Sequence, residues 1–238
     1  MFTLTASAHS IMGKRDSHED RVLLAPDLRL FAVADGMGGH LRGEEAAQMG
    51  VDTLRAEIEK VKIPSIAALR DAIEAANGAV RAIGMGPCPN TRTGEHRLSC
   101  GCRPPGTTLT ALWFGSRSVF VGHVGDCRVY RWASPMSTPE VLTQEHRMFG
   151  LIKYLGRPHQ PVEPDIFEVA VEPGHTLLVG SDGLWEPLRD IPVGAERIFA
   201  NALRAESLSQ RVIRLISSVE DYSDDNITAL LVEVGVAA

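Results

Sequence analysis

Residues 28–34 read LRLFAVA, a short apolar run with partial alternation that stops at Asp35-Gly36, and this pattern predicts a strand. From Gly43 the period becomes helical: Ala47, Val51, Leu54 and Ile58 share one face, and Glu44 and Glu45 stand in the first turn, where the helix dipole favours acids. A second helix follows Pro64, with Ser65 as its cap and Ile66, Leu69, Ile73, Ala76 and Val80 on one face. Residues 84–106 (GMGPCPNTRTGEHRLSCGCRPPG) show no period and many turn formers, which reads as an exposed loop. Residues 107–114, 118–124 and 127–132 are then short, β-rich and separated by tight turns, which suggests an antiparallel meander. Two further strands are expected at 166–171 and 176–180, a helix at 207–219 with Leu208, Val212, Leu215 and Val219 on one face, and a last strand at 227–234. Strands dominate, most of them hairpin-linked, and the helices come in blocks. That is the α+β class, antiparallel sheet covered by helices, and we expect one domain over residues 1–238.

Composition narrows the function classes. Hydrophobic residues make up 44% and charged residues 23% of 238, enough to bury a core. The net charge is −6, no stretch concentrates Lys and Arg, and aromatics are only 5%, so no nucleic-acid partner is expected. The N-terminal MFTLTASAHS does not read as a signal peptide, and no apolar stretch is long enough to span a bilayer. The expectation is a cytoplasmic protein without a membrane partner, acting as a monomer, whose four cysteines are reduced thiols or metal ligands rather than disulfides.

Three acids stand at strand borders. Asp35 ends FAVAD before Gly-Met-Gly-Gly, Asp182 ends LLVGSD before Gly-Leu-Trp, and Asp225 precedes Asn226 and the strand ITALLVEV. A single Asp-Gly after a strand is most simply a hairpin turn. Here a Gly-rich loop and a helix follow Asp35, and Asp225 sits at the start of its strand. Antiparallel neighbours place the end of one strand beside the start of the next, so the three carboxylates could meet at one sheet end. Clustered carboxylates repel one another and need cations, and oxygen ligands suit Mg²⁺ or Mn²⁺ rather than zinc or copper. Two ions sharing a carboxylate would acidify a water and clamp a phosphoryl oxygen. Gly36, without a Cβ, would let a backbone carbonyl approach a metal closely.

An ordered series of short motifs runs from about Gly13 to Val234: Gly13-x-Arg15-x-x-His18-Glu19-Asp20, Val33-Ala-Asp35-Gly-Met-Gly-Gly-His40, Gly106-Thr-Thr108, Val124-Gly-Asp126-Cys-Arg128, Leu142-Thr143, Ser181-Asp-Gly-Leu184 and Asp225-Asn-Ile-Thr228. Together they resemble the type 2C, metal-dependent serine/threonine protein phosphatases (the PPM family), and the DGMGG form resembles its bacterial branch. The resemblance implies two packed antiparallel sheets with helices outside. It implies that Asp35 bridges two metal ions, that Asp182 and Asp225 hold the first and the Gly36 carbonyl the second, and that Glu19 and Asp20 order the water around them. Arg15 resembles the residue that binds the substrate phosphate, which suits its planar fork of donors. Asp126 with Asp182 resembles the bacterial third-metal site. Water activated by the ions would attack phosphorus in line without a covalent enzyme intermediate, which leaves Cys127 as a small strand residue. His40 is either the general acid for the leaving serine or threonine oxygen or a helix-entry histidine that orients solvent or a neighbouring acid. The implied substrate is a phosphorylated protein, in opposition to a Ser/Thr kinase. The alternatives are a hydrolase of small phosphoesters and a catalytically silent binding module, the latter disfavoured because Asp35, Asp182 and Asp225 are all present.

The chain departs from the family pattern at several places. The family's Asn before Glu-Asp is His18, and its Asp in Leu-Thr-x-Asp-His is Glu145. The flap at 146–156, markedly longer in relatives, is cut to little more than a turn or a short helix, which puts both flap-based substrate selection and support of a third metal in question. The loop at 84–106 carries Cys88, His96, Cys100 and Cys102, four candidate ligands for a structural zinc. Their spacing matches no strong zinc signature, and reduced thiols on an exposed loop are the preferred reading.

Overall fold

The computed structural model describes residues 2–37, 42–84, 104–134, 137–158, 160–189, 191 and 194–236. Among the described residues, ten strands form two antiparallel sheets. One has the order β1 (Phe2–Ile11), β10 (Ile227–Val236), β9 (Thr176–Gly180), β6 (Arg128–Trp132) and β7 (Glu140–Val141). The other has the order β2 (Asp20–Ala25), β3 (Leu30–Asp35), β4 (Leu109–Phe114), β5 (Ser118–Val124) and β8 (Asp165–Ala170).

Side-chain alternation builds four layers. Phe31 and Val33 of β3, Leu112 and Phe114 of β4, Leu177 and Val179 of β9, and Leu230 and Val232 of β10 fill the space between the sheets. The intervening residues Leu30, Ala32, Ala34, Leu109, Ala111 and Trp113 face outward against α1 (Gly43–Ile58) and α2 (Ile66–Gly84). On the other side, Leu178, Ala229 and Leu231 pack against α3 (Asp182–Trp185), α4 (Ala195–Leu203) and α5 (Leu208–Ser217). A strand covered on both faces has no polar positions to alternate, which is why β3 and β10 read as near-continuous apolar runs. Each fully buried Leu, Val or Phe contributes about 1.5–3 kcal/mol relative to exposure.

Local sequence explains the helix starts. The Ser65 hydroxyl accepts from the Ala68 N–H at 3.2 Å, as the capping pattern predicts. Ser207 and Gln210 form a reciprocal capping box at the start of α5. Strands β1, β2 and β7 and helices α3 and α4 were not expected. β1 (FTLTASAHSI) is built largely of Thr, Ser and Ala, and β7 is only two residues long, so pairing rather than hydrophobicity defines these two.

The two packed sheets correct two expectations. The meander over 107–132 does not form: β4 pairs with β5, but the chain then leaves that sheet at Gly125, and β6 pairs with β9 in the other. Gly125 has φ +117 and lies against Thr108, where a Cβ would come within 2.5 Å of the Thr108 Cβ. The strands around Glu172-Pro173-Gly174 are not hairpin-linked either, since β8 pairs with β5 and β9 with β6 and β10. The flap residues 147–151 form a bridged turn, the first of the two forms expected there, with Met148 N–H donating to the Gly150 carbonyl at 3.0 Å.

Candidate active site

The acids converge at one end of the sandwich, contributed by both sheets rather than by one sheet end. In one sheet the β2–β3 register places Asp20 opposite Asp35. In the other, Asp182 begins α3 directly after β9, and Asp225 precedes β10, the antiparallel neighbour of β9. Two hydrogen bonds tie the sheet ends together. The Thr228 hydroxyl donates to Asp20 Oδ2 at 2.6 Å, and Glu19 N–H donates to Asn226 Oδ1 at 2.8 Å. Asp35 is fixed through its backbone, whose N–H donates to Thr108 Oγ1 at 2.9 Å and whose carbonyl accepts from the Thr108 N–H at 2.8 Å.

Burial and mutual repulsion set the charge state of these acids. Burial pushes the Asp35 carboxyl well above its ordinary range, and Asp20, Asp182, Asp126 and Asp225 add to the rise. Burial, then the charge of Asp126, raises Asp182 to about 8. Burial raises Asp20 to about 6, opposed by its hydrogen bond from Thr228. Asp126 is also raised, by burial, and Arg147 opposes that rise. Without a cation, then, burial and repulsion favour a proton on Asp35 and Asp182.

The donor set fits hard divalent cations. Glu19 Oε2, Asp20 Oδ1 and Asp182 Oδ1 are buried carboxylate oxygens with no hydrogen-bond partner, and an unpaired buried carboxylate oxygen is costly unless it meets a proton or a cation. The ligand atoms these acids offer are carboxylate oxygens, which suit Mg²⁺ or Mn²⁺. No three His, Cys, Asp or Glu side chains among the described residues are gathered about a common point. One reason is visible at Asp225. Its Oδ2 accepts from Arg15 Nη2 at 2.5 Å, and its Oδ1 from the Asn226 N–H at 2.7 Å.

Gly36 is required by backbone packing. Its N–H donates to the Glu19 carbonyl at 3.2 Å, and a Cβ there would lie 2.4 Å from the Gly43 carbonyl oxygen and 2.8 Å from that of Glu19. Gly183 is equally constrained, since a Cβ would come within 2.0 Å of the Asn226 carbonyl oxygen. The conformation at Gly36 thus has a steric cause independent of any metal.

The sequence motifs contained Asn226, Thr228 and His18 without assigning them roles. Buried Asn226 accepts from Glu19 N–H and donates through Nδ2 to the Met12 and Ser17 carbonyls, each at 2.8 Å, so one amide fastens the 12–19 loop to the start of β10. Because Thr228 gives its hydrogen to Asp20, Ser10 donates to Thr228 at 2.5 Å, and His18 Nε2–H in turn donates to Ser10 at 2.8 Å. A directed chain therefore runs from His18 to Asp20. The only signal for it in the sequence was the replacement of the family Asn by His18.

Asp126 lies at the crossing between the sheets. Its carbonyl accepts from Trp185 Nε1–H at 2.9 Å, and its carboxylate faces Arg147 of the shortened flap. Beside it, His123 is fully buried, its Nδ1 2.9 Å from Thr110 Oγ1, and burial lowers it to about 4. His40 and the loop residues Cys88, His96, Cys100 and Cys102 lie outside the described residues. Cys127 is buried in the inter-sheet core, and burial raises its thiol well above the ordinary range, consistent with a small apolar role. No helix among the described residues is long and apolar enough to cross a membrane.

Comparison with known proteins gives the chain a family and a fold. A family model described as Protein phosphatase 2C matches residues 12–231. The chain is 28% identical over 240 residues to the serine/threonine protein phosphatase PstP of Mycobacterium tuberculosis, an alignment covering 92% of this chain and 43% of that relative. It thus spans less than half the length of PstP. It is also 28% identical over 232 residues to the serine/threonine phosphatase stp of Listeria welshimeri, covering 86% of this chain and 84% of the relative. Among solved structures, the catalytic domain of PstP in complex with two manganese ions superposes with a TM-score of 0.77 at 27% identity, covering 99% of this chain and 100% of that one. PppA, a regulatory component of the type VI secretion system in Pseudomonas aeruginosa, gives 0.76 at 27% identity, with 98% of each chain covered.

Proposed function

The chain belongs to the protein phosphatase 2C family, and from that membership we propose that it is a metal-dependent phosphoprotein phosphatase acting on phosphoserine and phosphothreonine. The observation that carries the reading is the set of partnerless buried carboxylate oxygens on Glu19, Asp20 and Asp182, grouped with Asp35 at the end of the sandwich. Such a cluster is costly to keep in a core unless it serves a cation.

Asp35, Asp182 and Asp225, with the Gly36 carbonyl, would hold two Mg²⁺ or Mn²⁺ ions, and Glu19 and Asp20 would order water beside them. Bound there, the ions supply acidification of water and neutralisation of phosphoryl charge. Thr228 and Asn226 keep Asp20 and Glu19 in place from the opposite sheet. Arg15, whose guanidinium rests on the proposed metal ligand Asp225, would turn its N–H donors to the substrate phosphate. His40 would act either as proton donor to the leaving oxygen or as an organiser of solvent.

The substrate is proposed to be a phosphorylated protein whose modification a Ser/Thr kinase supplies, and the enzyme is proposed to work as a cytoplasmic monomer. Turnover of a phosphothreonine peptide, an aryl phosphate and a nucleotide should be compared with Mn²⁺ present. Preference for the phosphopeptide is expected. Faster turnover of the nucleotide than of the peptide would reject the protein substrate, and no turnover of any would favour a silent binding module.

A further inference from the structure

The resemblance stated above assigns Asp126 and Asp182 to a third metal ion. The structure has a different cation on Asp126. Arg147 Nη1 lies 3.6 Å from Asp126 Oδ2 and 2.8 Å from Glu186 Oε1, while its guanidinium carbon stands 5.9 Å from the centroid of the Trp185 ring. Trp185 in turn donates its indole N–H to the Asp126 carbonyl. The guanidinium therefore faces Asp126, one of the two acids that a third ion would use, and lies closer still to Glu186.

Backbone pairing fixes this position. His146 N–H donates to the Gly125 carbonyl at 2.7 Å, and Gly125 N–H donates back to His146 Nδ1 at 3.1 Å. Ile152 N–H donates to the His146 carbonyl at 2.7 Å, which closes the shortened flap on itself. The flap is thereby stapled to the residue before Asp126, and the next residue after His146 is Arg147. The surroundings carry compensating charge: Glu145 pairs with Arg128, and Arg128 and Arg189 both lie over the Trp185 ring, at 3.8 and 4.5 Å. A divalent ion entering beside Asp126 would have to displace Arg147.

We propose that Arg147 replaces the third metal ion in this chain: its fixed positive charge on Asp126 makes the enzyme a two-metal phosphatase and excludes further cation binding at that position. The proposal rests on the metal-dependent reading above. A guanidinium suits the task because it stays charged at every working pH and is more weakly hydrated than an ammonium. A side-chain charge also cannot be diluted away, so the third position no longer depends on the free metal concentration.

The test is Mn²⁺ stoichiometry, measured by equilibrium dialysis up to millimolar Mn²⁺ on the wild type and on Arg147→Ala, Asp126→Asn and the double variant, with far-UV circular dichroism to verify folding. The wild type is expected to bind two ions and Asp126→Asn also two. Arg147→Ala should gain a weaker third ion, which the double variant loses. Arg147→Ala should also lose turnover at low Mn²⁺ and recover most of it, to within about threefold of wild type, at high Mn²⁺, as the ion takes over the missing charge. Three ions on the wild type with one lost in Asp126→Asn would overturn the proposal, even if Arg147→Ala fails to fold. Two ions on a folded Arg147→Ala would overturn it as well. Absence of any Mn²⁺ binding would instead reject the metal-dependent reading on which it stands.

Discussion

Arg15 and Asp225, two residues far apart in sequence, are paired in space, with Arg15 Nη2 donating to Asp225 Oδ2 at 2.5 Å and Arg15 Nε–H to the neighbouring Asp224 carbonyl at 3.1 Å. The proposed phosphate-binding cation thus rests on a proposed metal ligand. If Asp225 holds an ion as proposed, metal and guanidinium would compete for one carboxylate, and a cation arriving there would release Arg15 toward incoming phosphate.

That coupling makes Arg15 variants informative. Arg15→Lys keeps the charge but loses the fork, and kcat/KM for a phosphopeptide should fall about ten- to hundredfold with Mn²⁺ affinity unchanged. Arg15→Ala should lose at least as much activity while binding Mn²⁺ more tightly, because Asp225 no longer has a competing partner. Isothermal titration with Mn²⁺ separates the two effects, and unchanged kcat/KM in Arg15→Lys would remove Arg15 from the site.

Asp182→Asn should lower turnover by about a hundredfold or more, since it removes charge from a proposed metal ligand. Its metal-free thermal stability at pH 8 should not fall, because the variant also removes repulsion from Asp126, Asp225 and Asp20. Wild-type rates at saturating Mn²⁺ would show that Asp182 holds no essential ion.

The metal-free protein should lose stability as pH rises from 6.5 to 8. Asp182 is raised in the folded state to about 8, so over this interval the native protein keeps a proton that the unfolded chain has released. Stability then falls with pH, by at most about 1.4 kcal/mol per pH unit for one group. Buried His123, lowered to about 4, acts in the opposite sense, but its contribution is complete once the unfolded histidine has titrated near 6.5. Melting temperatures in chelator should therefore drop across the interval, and Mn²⁺ should restore them. A rise in chelator would contradict the assigned direction.

Asn226→Ala removes three hydrogen bonds from a buried amide and leaves the Glu19 N–H and the Met12 and Ser17 carbonyls to find new partners. The expected cost is about 2–3 kcal/mol, allowing for some rescue by water. Activity should fall as well, because Glu19 and Arg15 lie on the loop that Asn226 fastens. Urea denaturation gives the stability change, and a cost below about 0.5 kcal/mol, the range of ordinary surface substitutions, would show that the loop is held elsewhere.

The sequence by itself determined the strongly periodic elements and the identity of the acids. Strands β3, β5, β9 and β10 and helices α1, α2 and α5 stand close to where periodicity and caps place them, because apolar spacing and turn chemistry are local properties of the chain. Asp35, Asp182 and Asp225 were legible because each stands at the border of an expected strand, whereas Asp20 and Asp126 were legible only through the resemblance of their motifs to the family. Tertiary structure alone decided which sheet each acid belongs to. β6 and β9 joined the sheet of β10 instead of their sequence neighbours β5 and β8, and this brings Asp182 and Asp225 to face Asp20 and Asp35 across the sandwich. The same applies to the Arg15–Asp225 and Arg147–Asp126 pairs and to the partnerless oxygens of Glu19, Asp20 and Asp182. Which charges meet depends on strand pairing between distant segments, and hydrophobic periodicity records only which side of a strand faces the core, not which strand lies beside it.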